Sequence, residues 1–451
     1  MIDVIETGAV VLGGGPAGLA AASSCAEAGV APLVIEREER LGGILKQCIH
    51  DGFGLVRYKE KLTGPEYALR DRARARAAGV PAMLETFVSS ARRTDDGFSL
   101  HCVNRGGVHE VRCRSLVLAT GCRERTDRQV FIHGDRPAGV YTAGLAQYMV
   151  NVQGLLPGRR VVILGSGDIG LIMARRLTLE GVEVEGVYEI KPEPSGLTRN
   201  VRQCLHDFGI PLHLSATVTA VHGRGRVKGV TVADVDDRLR PLPGTERDVP
   251  CDTLVLSVGL IPENELAASL DVPIDPVTRG PRVDQNMHTL ADGVFACGNA
   301  VHVNDLVDYV SESGDAAGRS AARWATGDAR PRTLVPVKAG AGFLSAVPQF
   351  VDISGGGQAT FFFRTNAVLP DGALVSAAVD AGAGAGEPTG ARANAAADGT
   401  QASATGRALF SRRYRSLRPP EMERFTVDAG AVGDDADAIV LTLDRKEAGR
   451  G

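Results

Sequence analysis

Two glycine clusters have the spacing that lets a backbone turn approach a phosphate: Gly13, Gly15 and Gly18 in GGGPAG, and Gly165, Gly167 and Gly170 in GSGDIG. Each follows an apolar run that reads as a strand and opens a helix-like stretch. The first glycine permits a tight turn, the second lets the backbone approach a pyrophosphate, and the third lets helix and strand pack closely. The helix start then offers unsatisfied N–H groups and a positive dipole end to the anion. In both places a second apolar strand ends on a carboxylate, Glu36 after VAPLVI and Glu189 after VEVEGVY, suited to accept hydrogen bonds from ribose hydroxyls. The spacing from glycine to carboxylate is nearly the same in the two. The chemistry implied is the binding of two dinucleotides.

Glu189 favours a free ribose 2′-OH and repels a 2′-phosphate, and only IKPEP follows it, without an arginine cluster. That points to NADH rather than NADPH at the second cluster. Further strand ends carry small residues that can pass close to a bound group. LVLATG ends at Thr120 and Gly121, CDTLVLSVG ends at Gly259, and GVFACGNAV turns through Gly298 and Asn299 into a helix. Val88, in a strand-like run at 84–91, is placed with the cofactor-binding residues, as are Gly42 and Gly43 in LGGILKQCIHDGFGL (41–55). That last segment also holds Cys48 and His50. Imidazole titrates near neutrality, so His50 suits either proton transfer or a structural hydrogen bond to its loop. Cys48 is either a reactive thiol or a packed one. Lys46 and Arg57 suit an anionic substrate or an ordinary surface.

These features in this order resemble the two-dinucleotide-binding flavoproteins, a superfamily that includes glutathione reductase and thioredoxin reductase. The resemblance covers about residues 8–327 and implies FAD at the first cluster, NAD(P)H at the second, and segment 41–55 along the reactive ring of the flavin. The superfamily has Asp where this chain has Asn299, an amide that still offers hydrogen bonds to the ribityl chain. In the disulfide reductases two cysteines would fall at Leu45 and His50, and a thioredoxin reductase pair would lie in the inserted domain, which has the lone Cys204. Dithiol exchange needs a resolving sulfur, so a disulfide reductase of either type is not expected. LGGILKQCIHDGFGL, ATGCRER, CGNAVHVNDLVDYVSESG, AVPQF and RPPEMERF are similar to bacterial FAD-dependent oxidoreductases associated with glycerol-3-phosphate dehydrogenase-like proteins. That similarity implies electron transfer with such a flavoprotein and a small cysteine-containing partner. Two other readings stand beside it: the FAD subunit of a heteromeric amino-acid, opine or amine dehydrogenase, and a flavin-binding scaffold or redox sensor.

The fold class expected is α/β: nested Rossmann-like FAD and NAD(P)-binding domains with a small β-rich C-terminal appendix. The expected bounds are 1–130 and 251–330 for the split FAD domain, 131–250 for the inserted domain and 331–451 for the appendix. Within the appendix, the alanine- and glycine-rich stretch 377–406 lacks apolar periodicity and is expected to be a disordered loop. The arginine-rich helix at 66–79 reads as a docking surface or a solvated face. A net charge of −4 over 451 residues gives no pull toward nucleic acid. No apolar run is long enough to insert in a membrane. Eight scattered cysteines without a CxxC pair argue against a metal site and fit a reducing, cytoplasmic setting. Substrate and oligomeric state stay open.

Overall fold

The computed structural model describes residues 3–328, 330–380 and 406–445. The chain divides into two compact units. Met1–Arg40, Arg74–Thr120 and Asn264–Gly451 make the first, and Leu41–Ala73 and Gly121–Glu263 make the second.

In the first unit, β1 (Asp3–Leu12) runs into the first glycine turn, α1 (Pro16–Glu27) follows, and β2 (Pro32–Ile35) returns parallel to β1. The inner half of β1, Ala9–Leu12, is buried, as a parallel strand covered on both faces must be. Among the described residues the sheet has seven strands. On one side of β1 lie β2 and Ala82–Met83; on the other lies Gly107–Leu118. That long strand does two jobs. Its first part pairs antiparallel with Gly97–Asn104, while Leu116–Leu118 pair in parallel with Val294–Ala296. The helix Val307–Ala325 packs on α1 with almost no side chain between them. A Cβ at Gly314 would lie 2.2 Å from the carbonyl oxygen of Ala17, and one at Gly318 2.0 Å from that of Ala21.

In the second unit, β3 (Arg160–Leu164), the second glycine turn, α2 (Asp168–Leu179) and β4 (Glu183–Glu189) repeat the same path. Their parallel sheet has the order Val140–Thr142, Thr253–Leu256, β3, β4, Leu212–Leu214. The chain enters and leaves this region through Cys122–Glu124 and Leu260–Pro262, which pair antiparallel. Residues 41–73 belong to this unit rather than to the first, where the sequence bounds put them. The physical cause is hydrogen bonding. Gln47 Nε2 donates to the Gly144 carbonyl (2.7 Å), and Asn151 Nδ2 donates to the Gln47 carbonyl (2.8 Å).

The C-terminal region is strand-rich, as its short apolar runs suggest. One sheet orders Phe350–Asp352, Leu334–Ala339, Ala438–Arg445, Ala373–Asp380 and Ala408–Tyr414; the other orders Phe343–Val347, Gln358–Thr365 and Glu423–Asp428. Alternation in QATFFFRT drives Ala359, Phe361 and Phe363 into the shared core. The expectation of a loop across 377–406 needs correcting at its start. Residues 377–380 complete the strand Ala373–Asp380, which is paired on both sides and therefore not a loop. Residues 381–405 lie outside the described residues. The arginine-rich segment forms the helix Gly64–Ala77. There Arg70 pairs with Glu60, and Arg74 with Glu27 and Asp315. No described helix is long and apolar enough to cross a membrane.

Candidate functional site

The two glycine turns are built alike, atom for atom at their carboxylates. Glu36 accepts the Gly14 N–H at 2.7 Å on one oxygen and the Glu38 N–H at 2.9 Å on the other. Glu189 accepts the Ser166 N–H at 3.0 Å and the Lys191 N–H at 3.1 Å in the same arrangement. Both carboxylates are buried at the ends of β2 and β4. Each keeps acceptor capacity beyond its two backbone bonds, which is what a ribose diol requires. Glu189 spends part of that capacity on the Ser166 hydroxyl at 2.5 Å.

The glycines divide into those the fold demands and those it does not. Gly13 has φ +102°, and a Cβ there would lie 2.4 Å from the Ala119 carbonyl oxygen. At Gly18 it would lie 1.8 Å from the Gly13 carbonyl oxygen. Gly165 (φ +97°) and Gly170 are blocked in the same way by Ser257 and by Gly165. Gly167 differs: a Cβ there would meet Ser257 Oγ at an ordinary 3.5 Å. Packing does not require glycine at that position, so its bare backbone suits close approach by a phosphate. Gly15 and Gly167 are the residues that begin α1 and α2, and neither helix start is capped by a side chain at that residue. The geometry therefore fits a dinucleotide at each turn.

The other expected cofactor residues are placed as follows. Gly121 (φ +72°) accepts the Glu263 N–H, and the Gly259 carbonyl accepts the Arg125 N–H. Thr120 follows Ala119, whose N–H donates to the Leu12 carbonyl beside the first turn. Gly298 adopts φ +65° and donates to Ser313 Oγ at 2.9 Å. Asn299 Oδ1 accepts the Asn304 N–H and its side-chain amide, so the amide is fixed in orientation. Val88 is buried in Phe87–Thr94, whereas Thr86 is the residue whose N–H donates to the Glu36 carbonyl. Gly42 (φ +121°) and Gly43 open the short turn Gly43–Gln47.

That turn carries Cys48, which is 5% exposed and sits 3.4 Å from the Ile44 carbonyl and 3.6 Å from Gln147 Oε1. Burial pushes its thiol up to about 12, so it is protonated at neutral pH and a poor nucleophile. Gln147, one hundred residues away in sequence, also receives Gln47 Nε2 at 3.2 Å, and its own buried amide nitrogen has no partner among the described residues. No spacing rule could have linked Gln147 to this segment. His50 stands beside Phe53 with ring centroids 5.0 Å apart. Burial lowers its pKa while Asp51 and Asp168 oppose the shift, so it is a neutral imidazole at pH 7. Arg57 lies 3.8 Å from the buried Asp71, which also accepts Tyr58 Oη at 2.6 Å.

Comparison with known proteins agrees with this construction. The chain is 30% identical over 282 residues to the hydrogen cyanide synthase subunit HcnB of Pseudomonas aeruginosa, a match covering 58% of each chain. It is 28% identical over 313 residues to an opine oxidase subunit of Rhizobium meliloti, covering 65% of this chain and 66% of that one. The chain thus spans somewhat over half the length of the cyanide synthase subunits it matches. The thioredoxin reductase of T. acidophilum shares the fold, with a TM-score of 0.55 and 22% identity over 72% of this chain and 99% of that one. The L-proline dehydrogenase of P. horikoshii does so with a TM-score of 0.53 and 18% identity, covering 73% and 56%. Residues 7–321 match the model of one family over most of the chain. The protein belongs to the pyridine nucleotide-disulphide oxidoreductase family.

Proposed function

We propose that the chain passes a hydride between NADH and FAD and exchanges the electrons with a partner subunit, without a redox-active disulfide. The observation that carries this reading is the matched pair of glycine turns, each with its carboxylate held by the same two backbone donors. Gly13, Gly15, Gly18 and Glu36 would hold the FAD phosphates and ribose, with Thr120, Gly298 and Asn299 further along it. Gly165, Gly167, Gly170 and Glu189 would hold the nicotinamide nucleotide. Bound flavin supplies the hydride-accepting ring; the protein's part is to orient the two nucleotides and exclude water. His50, neutral at pH 7, can hold a proton-accepting nitrogen without adding charge. Leu45 and His50 stand where a disulfide reductase would place its cysteines, and Cys48 is buried and protonated.

Relatives described as subunits, those of hydrogen cyanide synthase and opine oxidase, support a partner subunit. A glycerol-3-phosphate dehydrogenase-like flavoprotein with a small cysteine-containing protein is the partnership proposed first. The same relatives favour a second reading, the FAD subunit of a heteromeric amino-acid, opine or amine dehydrogenase. Anaerobic titration of the purified protein with NADH and with NADPH, followed by flavin absorbance, tests the proposal. NADH should bleach the flavin; failure of both nucleotides sinks the reading, and activity only with an amine in the presence of a second subunit establishes the alternative. Glu189→Ala should erode the preference for NADH, and an unchanged preference removes the argument from its carboxylate.

A further inference from the structure

The two glycine turns, alike at their carboxylates, differ in what lies across them. The chain leaving β4 doubles back over the second turn. The Ser195 N–H donates to Ser166 Oγ at 2.9 Å, the Leu197 N–H to Asp168 Oδ1 at 2.9 Å, and Asn200 Nδ2 to the same oxygen at 2.7 Å. Ser166 in turn bonds to Glu189, so one network joins the ribose carboxylate, the turn and the returning segment. The approach is close enough to demand glycine at residue 196. A Cβ there would lie 2.8 Å from the Ser166 carbonyl oxygen, 2.8 Å from Leu171 Cδ1 and 2.9 Å from Asp168 Oδ1. At the corresponding place in the first turn stands Pro16, whose side chain can accept nothing.

We infer that residues 191–200 form a wall of the second nucleotide site and that Asp168 is the positioning residue that holds the wall against the glycine turn. The inference rests on the proposed nucleotide role of that turn. The wall starts at the ribose carboxylate and ends beside the hairpin that follows His50: a Cβ at Gly52 would lie 3.9 Å from the Arg199 guanidinium. It therefore spans the distance from the ribose end of the site to the segment expected to face the flavin. A carboxylate suits the anchoring position, because the first turn of a helix favours negative charge and Asp168 satisfies two donors with one oxygen. The wall gives the second site a lateral surface built from the chain just after its carboxylate. Its loss should weaken the nucleotide without touching the site for FAD.

The experiment compares the FAD-loaded wild type with Asp168→Ala and Asp168→Asn, using NADH and ADP-ribose as probes of equilibrium binding. Trypsin cleavage at Arg199 serves as a second readout. Asp168→Ala should weaken both probes about tenfold, the effect of losing charge-assisted hydrogen bonds. It should also speed cleavage at Arg199 while FAD content stays unchanged. Asp168→Asn, which keeps an accepting oxygen, should recover much of the affinity. Affinity within twofold of wild type, or tighter binding in Asp168→Ala, overturns the inference, the latter by showing a cover rather than a wall. A wild type that binds neither probe overturns the nucleotide reading of the site, and the wall with it.

Discussion

Glu36 and Glu189 show how much one residue can carry: each ties the end of a strand to the turn before a helix and leaves oxygen free for a diol. Their positions were legible because a carboxylate at a strand end, a fixed distance after three glycines, is a sequence pattern with a geometric cause. Ser166, Asp168 and Gln147 were not. Their roles come from segments that the fold brings back from 29 and 32 residues away, or from about a hundred. Cys48 was legible only as a candidate, since its reactivity depends on burial. With the thiol pushed up to about 12, the native protein should leave Cys48 unlabelled by a thiol reagent at pH 8, while unfolded protein labels it. Mass spectrometry of the labelled peptides checks this, and rapid native labelling would refute the buried, protonated assignment.

At the level of elements, α1 and Val307–Ala325 pack through small residues, with Ala9, Cys25, Val30, Ala322 and Ala325 in one buried cluster. The alanines of α1 gave a helix from sequence, but not which helix it would meet. Gly314 and Gly318, one turn apart, set that choice by letting two backbones touch. Gly318→Ala gains helix propensity, yet its methyl would press 2.0 Å from the Ala21 carbonyl oxygen. The overpacking cost dominates at about 2 kcal/mol net. A lower denaturation midpoint should report it, with earlier loss of FAD on heating; a variant as stable as wild type would show that the helices can part cheaply. The same logic explains the placement of 41–73. Its hydrophobic pattern is silent about partners, and hydrogen bonds from Gln47 and Asn151 decide them.

For the molecule as a whole, acid sensitivity follows from a few buried groups in the first unit. Burial lowers His288 to about 3 and His302 to about 4. Below the ordinary histidine value of 6.5, the unfolded chain takes up protons that these two refuse in the folded state, so stability drains as pH falls. Asp284 works the other way: burial raises it to about 6, so the folded state binds a proton there between pH 6 and its ordinary 3.8. Each histidine costs up to about 2 kcal/mol at pH 5, more than Asp284 returns. Tm should therefore fall between pH 7 and pH 5, and less steeply in His288→Gln; a Tm that rises across that range contradicts the assignment. Charges help to join the C-terminal region to the rest of this unit, beside ring contacts of Phe362 with His302 and Tyr309. Arg364 bonds to Asp305, the Met422 N–H donates to the same carboxylate, and Arg424 pairs with Glu312 at 3.1 Å while lying over the Tyr309 ring. The family match ends at residue 321, so the contacts fall between a shared framework and an addition to it. The addition is consequently not a cassette. Grafted onto a relative without acids at the places of Asp305 and Glu312, it would leave Arg364 and Arg424 without their carboxylates, and recombination between such genes would favour crossovers that carry both sides of the seam together.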